Sequence, residues 1–156
     1  LLGTGVRLLA EDRGLQDRLR SEPSLIPSFV EEACRTEPPF RGHYRRVTAA
    51  TTLGGVDLPA GSRLVLVWPA ANRSAELGGE RIDVDRPNPR QHVGFGWGPH
   101  LCVGAPLARM EARVAFEQLL GRTRSFMVEP DAGLGHHRSL MVYRLESLPL
   151  ILDPAT

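Results

Sequence analysis

The ten residues Phe95-Gly96-Trp97-Gly98-Pro99-His100-Leu101-Cys102-Val103-Gly104 set three glycines around a single cysteine, just where helical periodicity begins. Glycine tolerates positive φ and lets the backbone come close to a bulky ligand. A cysteine at the mouth of a helix has its thiolate favoured by the dipole and by unpaired amide N–H groups. The same amides can donate to a metal-bound sulfur and tune its electron donation. The bare spacing also admits other readings. His100 could orient Cys102 as a nucleophile, and His100, Cys102, His136 and His137 could supply four zinc ligands. An ordinary tight turn around a buried cysteine is a third possibility. The nucleophile and zinc readings leave the glycines and Phe95 unexplained.

Downstream of this loop a helical pattern runs over 103–121. Leu107, Met110 and Val114 share one face, and Phe116, Leu119 and Leu120 widen it into an expected buried stripe. Upstream, residues 72–95 carry no period and are dominated by Gly78, Gly79, Pro87 and Pro89; so long an irregular stretch points to function. Further back, residues 44–51 and 63–68 read as strands around the turn residues Gly54-Gly55 and Pro59-Ala60-Gly61. Ser24 is the expected N-cap of a helix over 24–36, which Pro38-Pro39 terminates. Residues 1–10 read as the end of a helix, Glu11 to Gly14 interrupts it, and a short amphipathic turn follows from Leu15 to Arg20. Residues 139–143 and 148–152 read as a closing hairpin. The fold class is therefore mainly α with small β-sheets.

The whole string from Phe95 to Gly104 resembles the cytochrome P450 signature Phe-Gly-x-Gly-x-His-x-Cys-x-Gly, matched at every fixed position and continued by Ala105-Pro106-Leu107-Ala108-Arg109 as in bacterial members. This resemblance covers essentially the entire chain and implies the carboxy-terminal part of the P450 fold, with the amino-terminal part absent. It assigns Cys102 as the iron ligand of heme b. Phe95, Gly96 and Gly104 surround that ligand, and His100 and Arg45 bind the haem propionates, with Arg46 as the rival to Arg45. Glu32 and Arg35, one helical turn apart, are implied as a structural ion pair completed by an arginine of the irregular stretch, with Arg81 the first choice and Arg86 the alternative. Phe40, His43, Leu140 and Met141 are implied to line the substrate pocket, and Arg109 and Arg113 to face a redox partner.

The resemblance further implies a monooxygenase acting on a small organic substrate, fed by ferredoxin and ferredoxin reductase. The acid and alcohol that deliver protons to oxygen would lie upstream of Leu1. The 156 residues alone would then be a catalytically incomplete haem-binding portion with a broad apolar surface exposed. A haem-binding module without oxygenase activity is the alternative.

Composition agrees with such a protein and excludes others. The 42% apolar and 24% charged residues are those of a folded protein, and a net charge of +1 offers no basic excess for nucleic acid. No apolar run reaches membrane-spanning length, because Trp68-Pro69 interrupts the best one. Two distant cysteines and no charged-then-apolar leader argue for a reduced, cytoplasmic setting. Cys34 reads as a small buried hydrophobe.

Overall fold

The computed structural model describes residues 1–155; Thr156, the last residue of the expected 1–156 portion, lies outside the described residues. Helix α1 (Leu2–Glu11) turns into α2 (Arg13–Ser21) at Asp12, whose carboxylate accepts the Leu15 N–H at 2.9 Å. That N-cap explains the interruption seen in the sequence, although α2 is a full helix and not a short turn. Ser24 is not the cap of the next helix. It falls in a 3-10 turn, Pro23–Leu25, so that α3 (Ile26–Thr36) starts from Leu25 without a side-chain cap, with Pro27 in its first turn.

Two small antiparallel sheets follow. Strand β1 (Gly42–Arg46) pairs with β4 (Arg63–Val67), Tyr44 opposite Val65, and between them β2 (Thr51–Leu53) and β3 (Val56–Leu58) form a hairpin. Gly54 and Gly55 turn that hairpin with φ of 59° and 78°, as a two-residue primed turn requires. The single strand expected over 44–51 is thus two strands broken at residues 47–50. Helix α4 (Trp68–Asn72) follows β4 directly, and from there to the cysteine loop a single 3-10 turn, Ala75–Leu77, interrupts irregular backbone.

Helix α5 (Ala105–Arg122) runs straight into β5 (Thr123–Val128), which pairs antiparallel with β6 (Leu150–Pro154), Phe126 opposite Leu152. The expected closing hairpin therefore does not form. The 148–152 run finds its partner in β5, whose Phe126 is buried in the core, while Val142 bridges to Phe40. Short apolar runs carry no information about which strand they join.

The core lies where α1, α2, α3, α5 and β5 meet, around Leu9, Leu19, Phe29, Val30, Ala112, Phe116, Leu120 and Phe126. Phe29 and Phe116 meet edge to face with centroids 5.2 Å apart. Gly5 makes this approach possible, because a Cβ there would collide with the Phe116 ring. The face of α5 that is buried is Ala112, Phe116 and Leu120. Leu107, Met110 and Val114, expected in the same stripe, are 54%, 52% and 43% exposed. The small residues at 105, 112 and 5 let α5 close on α1 and α3 along the first line, which turns the second outward. Among the described residues no helix is long and apolar enough to cross a membrane.

Candidate functional site

The cysteine loop is closed by one backbone bond, from Cys102 N–H to the Phe95 carbonyl at 2.8 Å, with Gly96 N–H donating to Val93 at 2.9 Å. Gly96 has φ of 81° and a Cβ on it would approach the His100 carbonyl to 2.9 Å, so both conformation and space demand glycine. The loop delivers Cys102 to the start of α5, where Gly104 occupies the N-cap position without a side chain of its own. Cys102 is exposed and unpaired, whereas Cys34 is buried. A Cβ on Gly104 would lie 3.8 Å from the Cys102 sulfur, so that flank of the sulfur is kept clear.

The zinc alternative does not survive the placement of its ligands. His136 stacks on Tyr143 with Nε2 2.9 Å from its hydroxyl, and His137 faces Glu146. Among the described residues no three His, Cys, Asp or Glu side chains come together as a metal site. A single open thiolate ligand suits a macrocycle that already supplies the other metal donors. Its surroundings suit one too: Trp97, Leu101 and Val103 are 77%, 59% and 100% exposed. A patch of large apolar side chains around a lone sulfur fits a flat apolar group such as haem.

Arg45 is half-buried and Arg46 exposed; with Tyr44, Gly61 and Arg63 both line a cleft of about 690 Å³ that could receive carboxylates. Phe40 and His43 are brought beside the second expected pocket segment, since Arg41 N–H donates to the Met141 carbonyl at 2.8 Å and Tyr143 N–H to Pro39 at 2.7 Å. Leu140 and Met141 thus adjoin Phe40 although a hundred residues separate them. Trp68 Nε1 donates to His43 Nδ1 at 2.8 Å, which leaves the His43 proton on Nε2.

Glu32 and Arg35 are both fully buried and joined by two bonds, 2.8 Å and 2.7 Å. The third partner is Arg86, whose Nε donates at 2.8 Å to Glu32 Oε1, the oxygen that also accepts from Arg35 Nε. Arg81, the first choice from sequence, contributes only its carbonyl, which accepts from Arg35 at 2.7 Å. Its side chain is exposed, because the backbone turns there to present the oxygen inward. Burial alone would raise the Glu32 carboxyl, but the Arg35 hydrogen bond, the Asp83 N–H and the two guanidinium charges hold it below the usual carboxylate range.

Arg109 is not a free surface cation. It grips Glu31 with two bonds, 2.6 Å and 3.1 Å, and its guanidinium lies 4.4 Å from the centre of the Phe95 ring. Arg113 is exposed, 3.9 Å from Glu117. Sequence reasoning missed Glu31, His92 and Asn72. His92 bonds Glu31 at 3.0 Å, and the buried Asn72 accepts the Val93 N–H at 2.8 Å, two residues before Phe95. The available signals were the Glu31-Glu32 doublet and a histidine just ahead of the glycines.

The cytochrome P450 family profile matches residues 6–140. Cytochrome P450 144 of Mycobacterium tuberculosis is 48% identical over 98% of this chain and 35% of its own length. The Steroid C26-monooxygenase of the same organism is 34% identical over 99% of this chain and 42% of its own. Among solved structures, a substrate-free Mycobacterium marinum cytochrome P450 superposes with a TM-score of 0.93 at 33% identity, covering 99% of this chain and 40% of that one. Bacillus megaterium CYP109E1 in complex with testosterone gives 0.90 at 35%, covering 97% and 42%. The chain thus spans about two-fifths or less of the relatives it matches. Matched over nearly all its residues in both sequence and fold, the chain belongs to the cytochrome P450 family.

Proposed function

We propose that this chain carries the haem-thiolate part of a monooxygenase that inserts one oxygen atom of O2 into a small organic substrate. The observation that carries the reading is Cys102, exposed and unpaired at the mouth of α5 in a loop whose turn at Gly96 demands glycine. Cys102 would ligate the iron of heme b, Arg45 and His100 would pair with its propionates, and Phe95 would pack beside the sulfur. When bound, haem supplies oxygen activation, favoured by electron density from the thiolate. The chain's own contribution is ligation, orientation and a fixed electrostatic setting. Phe40, His43, Leu140 and Met141 form the substrate-facing edge.

Relatives named Steroid C26-monooxygenase and Erythromycin C-12 hydroxylase support hydroxylation as the reaction class. Electrons come from a ferredoxin and its reductase, docking near the exposed Arg113 in the cytoplasm. The oxygen-protonating acid and alcohol of the family are not among these residues, so turnover needs the remainder of the family's fold.

The test is a ferrous–carbon monoxide difference spectrum of the haem-reconstituted protein beside Cys102→Ser. A red-shifted Soret band, lost in the variant, is expected. A band that survives the substitution, or none in the wild type, overturns the assignment.

A further inference from the structure

Helix α3 carries two successive carboxylates that serve different segments. Glu32 organises the irregular stretch through Arg35 and Arg86. Glu31, only 5% exposed at its side chain, reaches the cysteine loop instead. One of its oxygens receives Arg109 Nε at 2.6 Å; the other receives Arg109 Nη2 at 3.1 Å and lies 3.0 Å from His92 Nε2. The His92 side chain is 1% exposed, and its Nδ1 accepts the Gly94 N–H at 3.0 Å. A ring nitrogen that accepts has no proton, so the proton lies on Nε2 and is donated to Glu31. One tautomer is thereby selected.

From this carboxylate two chains of contact reach the cysteine. One runs through His92 to Gly94, the residue before Phe95. Gly94 is itself pressed on α3, where a Cβ would come within 2.7 Å of the Cys34 carbonyl. The other runs through Arg109, whose guanidinium faces the Phe95 ring at 4.4 Å. The Phe95 carbonyl in turn holds the Cys102 N–H. Arg90, at 3.6 Å, is 79% exposed and adds little to Glu31 by comparison.

We propose that Glu31, His92 and Arg109 are positioning residues for Cys102, fixing its loop from beneath and independently of the Glu32 cluster. The inference rests on the reading of Cys102 as a haem ligand. It differs from a plain stabilising ion pair in what it protects. The triad governs how long the thiolate stays on the iron, and the Arg109 charge beside Phe95 bears on the iron's reduction potential.

The experiment compares haem-loaded wild type with Glu31→Gln, Arg109→Met, Arg109→Lys and His92→Asn. It follows the rate at which the thiolate-type ferrous–carbon monoxide band converts to the non-thiolate form, together with the reduction potential. Glu31→Gln and Arg109→Met are expected to speed conversion about 10-fold, the scale of losing an outer-shell partner. Removing the carboxylate should raise the potential and removing the guanidinium should lower it, with Arg109→Lys restoring the wild-type value. Should the charge variants fail to fold, His92→Asn keeps an acceptor for Gly94 and cuts only the link to Glu31; faster conversion is expected there too. Variants that melt earlier but keep the wild-type conversion rate and potential would reduce the triad to a structural role. A wild type without the thiolate band would remove the ligand assignment itself.

Discussion

At the scale of single residues, the two cysteines have opposite surroundings and should react accordingly. Burial, reinforced by the Glu31 charge, pushes the Cys34 thiol up to about 12, so it stays protonated and inaccessible at neutral pH. Cys102 is open. In haem-free protein a small alkylating reagent is expected to modify Cys102 alone, and Cys34 only after denaturation, as read by peptide mass spectrometry. The buried carboxylates give a second expectation. Burial would raise Glu31, but hydrogen bonds from His92 and Arg109 hold it down, as Arg35 and Asp83 N–H do for Glu32. A depressed folded value means that both stabilise fully above the ordinary carboxyl range near ~4.3, and that this stability is lost as pH falls through the folded values. Urea unfolding at stepped pH should show that decline. Glu32→Gln should flatten it and cost about 3–5 kcal/mol at neutral pH, because Arg35 is left buried without its charge partner.

Between elements, the joint that holds α2 against β5 is a buried glutamine. Gln16 donates to the Leu9 and Phe126 carbonyls at 2.8 Å and 2.7 Å and accepts the Phe126 N–H at 3.2 Å. Arg20 adds bonds to the Leu120 and Thr123 carbonyls, which closes the end of α5. Gln16→Leu keeps the volume but leaves the Phe126 backbone without its side-chain partner. A loss of about 1–3 kcal/mol is expected by thermal unfolding. This joint was invisible in the sequence, where Gln16 passes for a polar residue of an amphipathic turn. What was legible is local: the cysteine loop and Glu32-Arg35 are fixed by spacing within one turn or one helix. Arg86 over Arg81 was not legible, because in irregular backbone nothing in the spacing says which side chain turns inward. The same limit hid the pairing of β6 with β5. It also hid the outward turn of Leu107, Met110 and Val114, which depended on Gly5 a hundred residues away.

For the whole molecule, that outward line is the main liability. Leu107, Met110 and Val114 form one exposed stripe on α5, with Val103 fully exposed at its start. Such a face drives association when nothing covers it. The 156 residues by themselves are expected to self-associate at micromolar concentration in sedimentation velocity, and Leu107→Glu, Met110→Glu and Val114→Glu combined should shift them towards monomer. The stretch between α4 and the cysteine loop is secured in another way. Arg35 takes the carbonyls of Asn72, Gly79 and Arg81, Glu32 takes the Asp83 N–H, and Arg86 takes the carbonyls of Pro89 and Gln91. Every one of those handles is main chain, present whatever amino acid is spelled there. Arg86, the core residue Val84 and the left-handed Gly78 and Gly79 apart, the side chains of residues 74–91 are therefore largely free to drift over generations without the path changing. In a saturation library the stretch would stand out as a mostly tolerant run, broken at Gly78, Gly79 and Val84 and hung from the intolerant Glu32, Arg35 and Arg86.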